Sequence, residues 1–127
     1  MEARNTHQGP YGTAELIVNA DGSIYHLNIQ PDEVRPTVLL VGDPDRVEVI
    51  SSRCDQVFSK QQTREFAVHH TRLGQRELSI VSTGIGVDNI DIVLNELDAC
   101  VNVDFISRKQ KEKLTSLNII RLGTSGA

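Results

Sequence analysis

The chain contains no tryptophan, and its three phenylalanines and two tyrosines make up only 4% of the residues. No aromatic-rich RNA-binding motif can be built from so few rings. Basic residues are also in deficit: 13 Lys and Arg stand against 17 Asp and Glu, a formal net charge of −4. A protein that binds nucleic acid mainly by neutralising phosphates is normally basic, so that class is excluded. A few local arginines can still capture a small anion. There are two cysteines, Cys54 and Cys100. Neither lies in a Cys-x-x-Cys or Cys/His cluster, which removes support for zinc or redox chemistry. They read as reduced thiols of a cytoplasmic protein. No apolar run approaches the roughly 20 residues of a membrane span. Residues 1–12 are polar, lack the apolar core of a signal peptide, and read as a flexible tail. No Gly-x-Gly-x-x-Gly follows any predicted strand, which argues against a dinucleotide-binding domain.

A length of 127 residues suits a single domain, and a hydrophobic content of 39% allows only a modest core. Some apolar surface is therefore expected to meet another subunit or segment. Two short apolar stretches, 15–19 and 23–29, flank Ala20-Asp21-Gly22 and predict a hairpin. Thr37-Val38-Leu39-Leu40-Val41 predicts a strand buried on both faces, as in parallel sheets. After it, Asp43 suits a helix N-cap and Pro44 a first helical position, for a helix to about Ser52. Strands are expected over 64–73 and 76–82, with Gly74-Gln75 at the turn. A helix capped by Asp88 follows, with Ile90, Val93, Leu94, Leu97 and Val101 at helical spacing. The polar stretch 102–116 predicts a surface loop with a short helix around 108–114. A last strand covers 117–122.

Three apolar strands thus end in glycine-containing loops: at Gly42, at Gly84 and Gly86, and at Gly123 and Gly126. In open α/β sheets ligands bind outside the carboxyl ends of the strands, so three such loops on one edge would converge on one site. The strand over 117–122 leads into a loop with no element after it. That pattern is read as a truncation, since a loop leaving the sheet centre is a poor terminus.

Several residues could carry chemistry there. Gly42 would let a ligand approach the backbone. The N–H groups that open the following helix attract anions, and Arg46 adds a planar cation suited to phosphate oxygens. The plainer alternative pairs Arg46 with Asp43 or Glu48 on the surface. Arg121 interrupts a strand otherwise apolar, where it needs a partner. With the hydroxyl and N–H of Thr124 it forms an oxyanion cradle, or it belongs to a structural salt bridge. By themselves Arg64 and His26 read as a solvated arginine and an ordinary strand histidine. His7, His69 and His70 read as structural.

Four segments in order give a specific resemblance: Val41-Gly42-Asp43-Pro44-Asp45-Arg46-Val47, Arg64-Glu65-Phe66, Ser82-Thr83-Gly84-Ile85-Gly86, and Arg121-Leu122-Gly123-Thr124-Ser125-Gly126-Ala127. Over roughly 21–127 the chain resembles the nucleoside phosphorylase superfamily, most closely its uridine phosphorylase branch. The resemblance implies an α/β fold, a three-layer mixed central sheet with flanking helices, of which this chain is the N-terminal part. It implies reversible phosphorolysis of uridine or a related nucleoside to free base and ribose 1-phosphate. Gly42, Arg46, Arg64, Arg121 and Thr124 match phosphate-binding positions, with Arg121 and Thr124 central to catalysis. His26, like Thr124, matches a ribose-contacting position. Arg64 and His26 are implied to act across a dimer interface in a homo-oligomer, commonly a hexamer of dimers. No metal or cofactor is implied, phosphate being a substrate.

The chain departs from the family pattern in one loop, in a longer segment around 102–116, and in lacking the second half that supplies base recognition in the family. Where many uridine phosphorylases continue Gly-Ile-Gly with Gly-Pro-Ser, Val87-Asp88-Asn89 stands here. This touches a position, Asn89, that with Glu65 and Ile85 matches a monovalent-cation site in some relatives. Two other functions compete with phosphorolysis. A nucleosidase of the same fold would use water, and would have no need of three phosphate arginines. A non-catalytic fragment or assembly module would hold half an anion site and lack base recognition.

Overall fold

The computed structural model of the chain describes residues 10–12, 15–84 and 87–123. Five strands form one sheet in the order β2-β3-β4-β1-β7. They are β1 (Thr37–Val41), β2 (Gln56–Thr63), β3 (Phe66–Leu73), β4 (Arg76–Ser82) and β7 (Asn118–Arg121). Two short strands, β5 (Val103–Asp104) and β6 (Lys109–Gln110), pair separately. Strand β1 runs parallel to both neighbours, with Val41 opposite Ser82 and Leu40 opposite Arg121. Strands β2, β3 and β4 form an antiparallel meander. The sheet is therefore mixed.

Alternation along the strands builds two cores, because successive side chains point to opposite faces. Val38, Leu40, Phe66, Val68 and Val81 pack on one face with Val93, Leu97 and Cys100 of helix α2 (Val87–Asn102). Leu39, Val41, Ala67 and Ile80 pack on the other face with Val47 and Ile50 of helix α1 (Pro44–Ser51). With a helix on each face, the expected three-layer arrangement is present. Helix α1 starts as its sequence dictates: the Asp43 carboxylate accepts the Asp45 N–H at 2.9 Å, and Pro44 follows as the first helical residue. The thiol of Cys100 is buried, which pushes its pKa up to about 12. It is an inert packing group, and both cysteines are free.

Several expectations change. The hairpin over 15–29 reduces to one bridge, Val18 with Ile24. Side chains displace the ladder there: Asp21 accepts both the N–H and the hydroxyl of Ser23, and the Asn19 amide donates to Ser23, to the Ile24 carbonyl and to Asn28. Asn28 then takes a φ of 56° and its N–H bonds back to the Ile24 carbonyl, so His26 lies in a coil. Strand β2 was not expected, since its Gln-Val-Phe-Ser-Lys-Gln-Gln-Thr carries only two apolar residues. As a half-exposed edge strand it needs no more. Arg64 is thereby displaced from a strand start into the two-residue turn between β2 and β3, because Thr63 pairs with Phe66. No helix forms over 108–114. Arg108 adopts a φ of 61°, and its guanidinium donates to the carbonyls of Tyr11, Gly12 and Leu16. The same contacts, with the Tyr11 N–H on the Arg108 carbonyl at 2.7 Å, hold residues 11–12, so the inner end of the predicted tail is fixed. Residues 1–9 lie outside the described residues. Finally, among the described residues β7 is exposed along its whole length and pairs with β1 alone, so within this chain it borders the sheet.

Candidate active site

The carboxyl ends of β4, β1 and β7 lie side by side, which brings their loops to one edge of the sheet. The ladder runs on past the strands: Thr83 N–H donates to Val41 O at 2.8 Å, Gly84 N–H to Gly42 O at 2.9 Å, and Leu122 N–H to Leu40 O at 2.8 Å. Gly42 is exposed at this edge. A Cβ there would meet only Gly84 O, at an ordinary 3.8 Å, so packing does not demand glycine. What glycine provides at Gly42 is an open backbone at the strand end.

Gly84 is different. Its φ is +72°, and a Cβ would lie 2.8 Å from Cγ of Glu65. The Glu65 carboxylate also accepts the Asn89 amide at 3.0 Å. The Ser82 hydroxyl donates to Glu65 O at 2.6 Å and accepts the Ala67 N–H at 2.7 Å. The glycine loop, the β2–β3 turn and the first turn of α2 are therefore knitted together. Gly84→Ala should cost about 2 kcal/mol through left-handed strain and the displaced Glu65. Thermal melting of the intact protein checks this; an unchanged midpoint would show that the loop is not so constrained.

Because β3 runs antiparallel to β4, its start lies at the same edge, and the turn holding Arg64 with it. Arg64 has a φ of 57° at the first position of a two-residue turn, a conformation that favours glycine. An arginine there is retained against local strain, and such strain concentrates at functional sites. Arg46 lies in the first turn of α1, which follows β1. The structure thus brings Gly42, Arg46, Arg64 and Arg121 to one edge. All three arginines are exposed, and among the described residues none forms an ion pair. The suggested partners of Arg46 are engaged otherwise: Glu48 binds Lys60 at 3.0 Å, and Asp43 caps its helix. Thr124, three residues beyond Arg121, lies outside the described residues.

His26 lies on the α2 face of the sheet. Its Nδ1 is 2.7 Å from Oε2 of Glu96 on α2. The ring makes edge contacts with Tyr25 at 4.7 Å and with Phe66 at 6.0 Å between centroids. Since Phe66 directly follows Arg64-Glu65, His26 and Arg64 flank one end of β3. His26 and Glu96 also line a cavity of about 420 Å³ together with Tyr11, Ile24, Ile92 and Asn95. Sequence reading had no signal for Glu96, which is 70 residues away from His26 and sits in an ordinary amphipathic helix. His69 and His70 are buried, bonded at Nδ1 to the hydroxyls of Ser51 at 2.8 Å and Ser79 at 2.7 Å. Both are built into the packing. His7 lies outside the described residues. No group of three or more metal-ligating side chains occurs among the described residues. No helix is long and apolar enough to cross a membrane, again among the described residues.

The chain matches the family model of the phosphorylase superfamily over residues 36–127. A uridine phosphorylase of Thermococcus kodakarensis is 33% identical over 115 residues, which are 91% of this chain and 36% of that protein. A guanosine phosphorylase of Halorubrum lacusprofundi is 33% identical over 72 residues, covering 57% of this chain and 30% of that one. Among solved structures, a Trypanosoma brucei nucleoside phosphorylase that shows uridine phosphorylase activity superposes with a TM-score of 0.77 at 33% identity. It is matched over 87% of this chain and 39% of its own. The chain spans about a third of the length of the curated relatives it matches. Sheet, loops and matched sequence agree: the chain belongs to the phosphorylase superfamily.

Proposed function

We propose that the intact protein carrying this chain is a nucleoside phosphorylase of the uridine phosphorylase type, a pentosyltransferase. Phosphate attacks C1′ of the nucleoside as the base leaves through an oxocarbenium-like state, giving free base and ribose 1-phosphate. Arg46, Arg64 and Arg121 hold the phosphate, the backbone at Gly42 lies against it, and Thr124 reaches both phosphate and ribose. His26 contacts the ribose 5′-hydroxyl. Catalysis then rests on positioning a multiply charged nucleophile against a developing positive sugar, with no cofactor or metal required. Arg64 and His26 serve the site of a neighbouring subunit in a homo-oligomer of dimers. The protein works in the cytoplasm, in pyrimidine nucleoside salvage.

The observation that carries this reading is the gathering of three arginines without ion-pair partners among the described residues at the edge where β4, β1 and β7 end. Three like charges so placed repel one another, and a bound oxyanion relieves that repulsion. A water-using nucleosidase has no use for them. Uracil release from uridine, followed by ultraviolet absorbance, tests the proposal: the intact protein should release base only when phosphate is added. The 127-residue chain by itself, a third of its relatives' length, should be silent. Release without phosphate would make the protein a nucleosidase and overturn the role of the arginines.

A further inference from the structure

The Glu96 carboxylate is directed entirely at the segment that carries His26. Its two oxygens accept the His26 N–H at 3.0 and 3.1 Å, and Oε1 accepts the Leu27 N–H at 2.9 Å. The remaining contact is His26 Nδ1 at 2.7 Å from Oε2. An ionised carboxylate only accepts, so Nδ1 must carry the proton. That fixes the tautomer: in the neutral ring Nε2 is a bare acceptor, without a partner among the described residues. The Glu96 side chain is 13% exposed, which strengthens its hydrogen bonds relative to surface contacts, while the His26 side chain remains 35% exposed and open to a ligand. Tyr25 and Phe66 hold the ring by its edges. The coil around His26 has no strand ladder to hold it, and the Glu96 carboxylate bonds both its backbone and its ring.

We propose that Glu96 is a positioning residue, which sets the tautomer and direction of His26 so that Nε2 accepts the hydrogen bond of a nucleoside 5′-hydroxyl. The inference rests on the function proposed above and on His26 as its ribose contact. It assigns Glu96 no contact with substrate. The second half of a histidine's hydrogen bonding commonly governs what the first half can do.

The test compares phosphorolysis of uridine with that of 5′-deoxyuridine, which lacks the hydroxyl, by the intact wild-type protein and its E96Q, H26A and H26A/E96Q variants. In E96Q the amide donates to Nδ1 and reverses the tautomer. The preference in kcat/KM for uridine over 5′-deoxyuridine should fall about tenfold, the scale of one hydrogen bond to a charged or oriented group, and through KM. The double variant should show the same preference as H26A. An equal loss on both substrates, or a further loss of preference in the double variant, would reduce Glu96 to a structural prop and overturn the proposal. Should E96Q fail to fold, the imidazole ¹⁵N shifts of wild-type His26 decide instead: a protonated Nδ1 at neutral pH is expected, and a protonated Nε2 would overturn it. If the wild-type protein cleaves neither nucleoside, the proposed function falls first, and the role of Glu96 with it.

Discussion

Arg121→Ala should lower kcat/KM for phosphorolysis by the intact protein on the order of 10²–10³-fold, or about 3–4 kcal/mol, the scale of losing one preorganised charge contact in a transition state. The same change should leave stability within about 0.5 kcal/mol, as is usual for exposed positions without special contacts. The separation of the two effects follows from the structure. Arg121 is exposed on β7 and has no ion pair among the described residues, so its removal costs no contact with them. Its backbone stays in register with Leu40, which keeps the neighbouring loop in place. Lysine should recover part of the activity only, since an ammonium cannot bind phosphate oxygens through a planar fork. Steady-state kinetics at saturating phosphate and a melting curve check the pair of outcomes. Near-normal phosphorolysis in Arg121→Ala would remove this residue from the site.

The second large effect concerns acid. Burial depresses the pKa of His70 to about 4, with smaller contributions from Arg35 and His69 in the same direction and an opposing one from Glu33. The ring is 1% exposed, held at Nδ1 by Ser79, and its Nε2 has no partner among the described residues. The Ser79 oxygen also accepts the Arg35 N–H at 2.9 Å. An imidazolium here would bury a charge with nothing to receive it. Between pH 6.5 and about 4 the unfolded chain binds a proton that the folded chain refuses. Folding stability is therefore complete above pH 6.5 and falls as pH drops through that window, by about 3 kcal/mol in total. Denaturant unfolding of the intact protein at pH 7 and pH 5 should show the loss. His70→Gln should be less stable at pH 7 yet flatter with pH; an equal slope in both proteins would assign the acid sensitivity elsewhere.

Much of the parallel half of the molecule was legible in the sequence. The run 37–41 with Asp43 and Pro44 carries its strand, cap and helix within a few residues, and local signals of that kind need no tertiary information. The glycine loops likewise announced the carboxyl edge, and the ordered motifs supplied the family. What failed was set by contacts distant along the chain. Strand β2 has too few apolar residues to announce itself, because an edge strand is stabilised by a neighbour on one side only. Without β2, Arg64 could not be placed in a turn. The stretch 108–114 was misread as a helix because Arg108 answers to carbonyls more than 90 residues earlier. Glu96 was invisible for the same reason: its partners are fixed by how α2 lies on the coil at 24–29.

The two borders of the sheet have opposite characters. Strand β2 closes one border with glutamines, a lysine and a threonine, a surface that discourages further pairing. Among the described residues strand β7 leaves the other border open, with Ile119 and Ile120 each more than 40% exposed. Any recruitment of another strand is thus directional, toward β7. Arg121 lies on that border. On the proposed function, the strand that presents Arg121 to phosphate is the same one whose outer backbone edge is unpaired among the described residues.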